Sequence, residues 1–253
     1  MIHDLGIASV AGPVLDRVVV GPQAFDDPRV SISVGVLGAG ESTGTRSSGP
    51  GREEVWFVLD PAVETTGTGG AVVRTGPGVL AGFSGSVHGL ANRGDGPARY
   101  IRIAMGEDLA GEIKGSGWAE PEWSPFDRSL LAATNAHDGM GEIRFRRLWD
   151  QDRFVTGWGF VDHALVGPGT SVGYHRHDTV QECYLILAGT GIMKVDGAVF
   201  EVGPGACVPN RLGGSHGLVA HLEAVEFINV ALYTEGRFDV TDLGDDLSDV
   251  VSG

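Results

Sequence analysis

The chain has 253 residues, 42% of them apolar, and carries 18 Lys and Arg against 33 Asp and Glu, a net charge of −15. That length fits one large or two small domains, and a negative field of this size argues against a phosphate backbone as partner. No run reaches the roughly 18 apolar residues of a bilayer-spanning helix, and the opening MIHDLGIASVAGPVLDR has no basic start followed by a long apolar run, so a cytoplasmic protein without a membrane partner is expected.

In chain order the runs RVSISVGVL, EEVWFVLD, GAVVRTG and ARYIRIAM come first, followed after a gap by GFVDHALVG, ECYLILAG, GIMKVDG and EAVEFINVALY. Each is short, rich in β-branched and aromatic residues, and bounded by Gly or Pro, which reads as strand. The 41 glycines are dispersed, as many tight turns between short strands require. The best helix signal is SPFDRSLLAATN, with Ser124 as cap, Pro125 in the first turn and Asp127 at the positive end. It lies in a polar stretch between the two strand-rich halves. The expected organisation is an N-terminal β domain over 1–107, a linker with a short helix over 108–140, and a C-terminal β domain over 141–253 with a solvated acidic tail. Cys183 and Cys207 are too few for a disulfide framework and are expected to be reduced and buried.

The halves resemble each other. Aligning REEVWFVLD with VQECYLILA sets Glu54 over Glu182, an offset of 128 residues, and aligning GPGVLAGFSGSVHGL with GPGACVPNRLGGSHGL sets His88 over His216 at the same offset. Two landmarks that keep one offset point to a duplicated β domain.

GYHRHDTVQECYLILAG holds the candidate site. Alternation along a strand sends His175 and His177 to one face, and Glu182, Tyr184 and Ile186 to one face of the next strand. A turn at DTVQ can bring the two faces together, and His216 can approach from a facing strand. Three imidazoles and a carboxylate suit a divalent first-row metal. Gln181 is the rival to Glu182, and the register matched to Glu54 favours Glu182.

This segment resembles the first cupin motif, G-x-H-x-H-x(3–4)-E-x(6)-G, and VGPGACVPNRLGGSHGL resembles the second, P-x-G-x(n)-H, with a longer loop before its histidine. The resemblance covers both halves and is strong in the second. It implies an all-β fold of two tandem antiparallel jelly-roll barrels, a bicupin, with His175, His177, Glu182 and His216 as ligands of one divalent transition metal (Fe, Mn, Ni or Zn) in the C-terminal barrel. The first half departs from the motif: counting back from Glu54 reaches Ser47 and Gly49, so both imidazoles are missing and a metal-free barrel is expected. By analogy, the barrels are expected to pack on each other, with LDRVVVG crossing between them.

The catalytic candidates are Tyr184, as acid or substrate donor or else a packed ring, and His163, either inside the second barrel or a satisfied core histidine. Met193 and Val195 are expected to wall the barrel with Lys194 facing water, and His137 is expected at the surface. No nucleotide loop or nucleophile motif appears, so catalysis falls to the metal. The resemblance implies an enzyme acting on a small enolisable or phenolic metabolite, with a lean toward dioxygenase chemistry. A non-redox isomerase, cyclase or lyase and a non-catalytic binding protein are the alternatives. The expected partner is a small-molecule substrate; homodimer formation is left open.

Overall fold

The computed structural model describes residues 2–6, 14–26, 29–60, 62–67, 72–106, 120–233 and 238–251. The first half holds β1 (His3–Asp4), β2 (Val14–Val20), β3 (Val30–Leu37), β4 (Arg46–Ser47), β5 (Glu53–Val58) and β6 (Val63–Thr66). It continues with β7 (Val72–Thr75), β8 (Gly78–Gly82), β9 (Val87–Asn92), β10 (Ala98–Met105) and β11 (Glu122–Pro125). The second half holds β12 (Ala132–Thr134), β13 (Ile143–Asp150), β14 (Trp158–Val166), β15 (Thr170–Arg176) and β16 (Val180–Ala188). It closes with β17 (Gly191–Val195), β18 (Ala198–Val202), β19 (Ala206–Asn210), β20 (Ser215–Ala220), β21 (Val225–Tyr233) and β22 (Thr241–Asp245).

These strands make two all-β barrels of two sheets each. The first pairs a sheet of order β11-β8-β5-β10-β3-β2 with one of order β4-β9-β6-β7. The second pairs β1-β19-β16-β21-β14-β13-β12 with β18-β17-β20-β15-β22. The large sheets are covered on both sides, so β5 and β16 read as continuous buried runs rather than alternating ones. On β5, Val55 and Phe57 join Cys183 and Leu185 of β16 in one core between the barrels, while Trp56 and Val58 fill the first barrel and Tyr184 and Ile186 the second. Side-chain alternation places Glu54 and Glu182 on the inward faces with them. Glu53, on the opposite face, accepts hydrogen bonds from Val155 N and Thr156 N, and Gln181 accepts one from Asp26 N at 2.5 Å, so both tie the halves together.

Several expectations are corrected. The segment around Ser124 is not an α-helix: Ser124 and Pro125 pair with Val79 and Gly78 on an edge strand, and only a single 3₁₀ turn, Arg128–Leu130, follows, capped by the Asp127 carboxylate on Ser129 N. An edge strand tolerates proline, and tertiary pairing overrides the local cap signal. Residues 108–119 of the expected linker lie outside the described residues. The strand that crosses between barrels is β1, whose His3 and Asp4 pair with Cys207 and Ala206; Val14–Val20 pairs with β3 in its own barrel. The acidic tail does not simply face solvent, because β22 pairs with β15 and Asp245 binds the Lys194 ammonium at 2.6 Å.

Candidate metal centre

His175 is the penultimate residue of β15, and His177 follows the strand directly. Gly173 sits where the 136–139 loop crosses the strand: a Cβ there would lie 1.9 Å from the His137 carbonyl oxygen, so the approach needs glycine. The turn after His177 is held by Asp239, whose carboxylate accepts from Asp178 N at 2.8 Å and Thr179 N at 2.9 Å. On the neighbouring strand of the same sheet, His216 of β20 pairs with His175, and Glu182 projects inward from β16 in the other sheet.

His175, His177, Glu182 and His216 converge so that one ligand atom from each lies within 4.8 Å of every other, and all four side chains are buried. His216 Nε2 is 3.0 Å from Glu182 Oε2, and His177 Nε2 is 3.6 Å from Glu182 Oε1. At that distance, His177 Nε2 has no hydrogen-bond partner among the described residues, though it is buried and aimed at the carboxylate. Its Nδ1 bonds the Asp239 carbonyl, and His175 Nδ1 donates to Gly173 O at 2.8 Å.

Burial, reinforced by His216 and His137, holds the His175 imidazole down to about 2, so it stays neutral. Burial alone would raise the Glu182 carboxyl, but the His216 hydrogen bond and the field of the imidazoles hold it at about 2. A neutral imidazole beside an ionised carboxylate is the protonation state that metal ligation demands. The donor set fits a divalent metal.

A cavity of about 240 Å³ opens beside Glu182. Tyr184 and Asn229 line it from the barrel floor, Phe160 and Phe227 form aromatic walls, and Arg147 and Asp162 make its charged side. The Arg147 guanidinium grips Asp162 from Nε at 2.6 Å and Nη2 at 3.2 Å. Burial nonetheless pushes the Asp162 carboxyl up to about 6, with Arg147 pulling the other way. Tyr184 stacks on Phe227 at 4.7 Å, and burial raises its phenol well above the usual range. Met193 and Val195 pack inside the barrel as the alternation requires.

Of the two catalytic candidates, Tyr184 is brought to the cavity and His163 is not. His163 leaves β14 on the face opposite Asp162; its Nε2 lies 2.7 Å from Glu226 Oε1, and its ring packs edge-on to Phe126. It is a satisfied buried histidine. His137, expected at the surface, instead lines the cavity and stacks on His175 at 3.7 Å, with Nδ1 3.0 Å from Asp242 Oδ1. Nothing in its sequence spacing signals this, because a loop from the inter-barrel segment delivers it. Phe238 and Asp239 carry no such signal either, because they reach the site from the C-terminal tail.

In the first barrel, Glu54 and His88 occupy the places of Glu182 and His216. His88 Nε2 is 2.6 Å from Glu54 Oε1, Ser86 Oγ is 3.2 Å from His88 Nδ1, and Arg102 Nε donates to the other Glu54 oxygen.

Residues 163–231 match the model of the cupin domain family. Over 87 residues the chain is 34% identical to dimethylsulfoniopropionate lyase DddW of Ruegeria pomeroyi, a match spanning 34% of this chain and 57% of that lyase. An IolB-like protein from Salmonella typhimurium LT2 superposes with a TM-score of 0.66 at 13% identity, covering 98% of both chains. Oxalate decarboxylase of Bacillus subtilis, described with Mn(II) centres, superposes with a TM-score of 0.61 at 13% identity, covering 96% of this chain and 79% of that one. Residues 163–231 thus match a cupin domain, and the chain as a whole has the cupin fold, two tandem barrels of which the C-terminal one carries the complete set of candidate ligands.

Proposed function

We propose that the protein is a metal-dependent enzyme that performs non-redox lyase chemistry on a small carboxylate-bearing metabolite. The observation that carries this reading is the cavity lined by Glu182, in which three acidic groups sit in divergent environments: Glu182 is held at about 2, Asp162 is pushed up to about 6, and the Tyr184 phenol is held neutral. Titratable groups driven apart in one pocket give an acid and base assignment.

His175, His177, Glu182 and His216 would hold the ion, with manganese supported by the structural likeness to oxalate decarboxylase and zinc, iron or nickel compatible with the donors. When bound, a divalent ion supplies a Lewis acid for a substrate carboxylate or carbonyl. Asp162 accepts the proton from the carbon next to that group, and the leaving group departs with its bonding pair as the double bond forms. Tyr184 donates a hydrogen bond to the oxygen on which charge develops. Phe160 and Phe227 exclude water and offer π-faces to an apolar or soft cationic end. The partial identity to a lyase supports elimination over dioxygenase chemistry.

The test is turnover of small β-substituted carboxylates, dimethylsulfoniopropionate first, by metal-loaded protein under argon and under air. Equal rates of unsaturated product in both support the proposal. Turnover that consumes dioxygen sinks it in favour of an oxygenase, and a protein that neither holds nor takes up metal sinks it in favour of a binding module.

A further inference from the structure

A ligating histidine usually donates its second ring N–H to an acceptor, which fixes its tautomer and ring plane. His175 and His177 meet that requirement through the carbonyls of Gly173 and Asp239. His216 does not. Its Nε2 faces Glu182, and its buried Nδ1 has no hydrogen-bond partner among the described residues.

A complementary deficit lies at Asn210. This side chain is 3% exposed and donates from Nδ2 to Val208 O at 3.3 Å, which leaves its buried Oδ1 without a partner among the described residues. Asn210 stands opposite Glu182 in the β16–β19 pairing, so both side chains leave the sheet on the face toward the site. It is also the last residue of β19, and His216 is the second of β20. The short turn between them is pinned by Gly213 N on His177 O at 2.7 Å and Gly214 N on Arg211 O at 3.0 Å.

The first barrel shows what borders the histidine at this position. Gly82 stands opposite Glu54 as Asn210 stands opposite Glu182. A Cβ on Gly82 would lie 2.2 Å from His88 Cε1, 2.6 Å from Nε2 and 2.7 Å from Nδ1, so any side chain there abuts the edge of the ring that carries both nitrogens. His88 Nδ1 is served instead by Ser86. The 128-residue offset carries Ser86 onto Gly214, which has no side chain to offer. The exchange is reciprocal: glycine beside the ring comes with a serine after it, and asparagine beside the ring comes with glycine after it.

We propose that Asn210 is a positioning residue for the metal centre, its Oδ1 accepting the His216 Nδ1–H and so fixing Nε2 toward the ion. The proposal rests on reading the four converging residues as ligands. Zn²⁺ alone is the probe, with affinity measured on the full chain by competition against a chromogenic chelator. N210A should bind about 10–100-fold more weakly, whereas N210D, which keeps an acceptor oxygen, should stay within about threefold of the parent or tighten, the range a retained hydrogen bond predicts.

The second readout is the histidine side-chain ¹H–¹⁵N spectrum of the Zn²⁺-loaded parent. A slowly exchanging His216 Nδ1–H with nuclear Overhauser contact to the Asn210 side-chain amide is expected in the parent; the slow exchange should be lost in N210A and kept in N210D, whose carboxylate still accepts. Parent-like Zn²⁺ affinity in N210A overturns the proposal. Absence of that contact in the parent overturns it too, and this holds even if N210A fails to fold. Failure of the parent to take up Zn²⁺ is a different result: it overturns the ligand reading itself.

Discussion

The Arg102 guanidinium donates to Glu54 in the interior of the first barrel while His88 Nε2 meets the other carboxylate oxygen at 2.6 Å. Arg102 stands opposite Trp56, as Asn229 stands opposite Tyr184 in the second barrel. One half thus answers its buried carboxylate with a guanidinium. The other half has a cavity of about 240 Å³ beside Glu182.

Metal stoichiometry follows from this difference. Elemental analysis of the purified, metal-loaded protein should find about one divalent ion per chain, since three imidazoles and a carboxylate make one complete donor set. His177→Ala should release it, and His88→Ala should leave the count unchanged. A second equivalent that disappears with His88→Ala would contradict the assignment of the first barrel.

Acid stability should reflect Glu54. Burial would raise this carboxyl, but the His88 hydrogen bond and the Arg102 charge hold it at about 2 against an ordinary 4.5. A folded-state pKa below the unfolded one stabilises the fold above pH 4.5, and the gain is lost as pH falls toward 2. A depression of that size corresponds to about 3 kcal/mol at neutral pH. Glu54→Gln should flatten the stability-against-pH curve in this window and cost about 3–5 kcal/mol at neutral pH by removing the buried carboxylate charge that meets Arg102 and His88. Urea unfolding of the metal-free protein at several pH values measures both.

Tyr184→Phe removes one hydroxyl and keeps the ring stacked on Phe227 at 4.7 Å. Metal content and melting temperature should therefore hold, while turnover falls about 10²-fold or more, the scale of a lost proton donor. Asp162→Asn should reduce turnover by a similar factor with metal retained. Steady-state kinetics paired with elemental analysis separates these effects from loss of the ion.

Asp239 works through its neighbours. Its carboxylate holds Asp178 N and Thr179 N, and its carbonyl meets His177 Nδ1. Asp239→Ala keeps the carbonyl and loses the cap, so it should cost about 1–2 kcal/mol and speed amide exchange at residues 178–180. Exchange confined to distant strands would refute this coupling.

Much of this architecture is legible in the residues themselves. The inward faces of β5 and β16 follow from alternation, and the 128-residue offset aligns Glu54 with Glu182 and His88 with His216 in place as well as in sequence. The ligand set is legible because three of its members lie on two consecutive strands and the turn between them, and His216 on β20 is marked by the offset it shares with His88. What stays hidden comes from far along the chain. His137 arrives on a loop, Phe238 and Asp239 arrive from the tail, and Arg102 reads as one charge in ARYIRIAM. Ser124 and Pro125 misled because a cap-and-proline signature is local, whereas pairing with Gly78 and Val79 is not. His163 stays undecided in the sequence because both faces of β14 are buried, so burial does not say which face meets the barrel interior.

The pairing of His3 and Asp4 with Cys207 and Ala206 makes the second barrel depend on residues translated before the first. A fragment beginning at β12 would present β19 as a bare edge, with amide and carbonyl groups free to recruit strands from other molecules. Expressed alone, that half should clump, and a short peptide covering residues 2–6 supplied in trans should return it to solution.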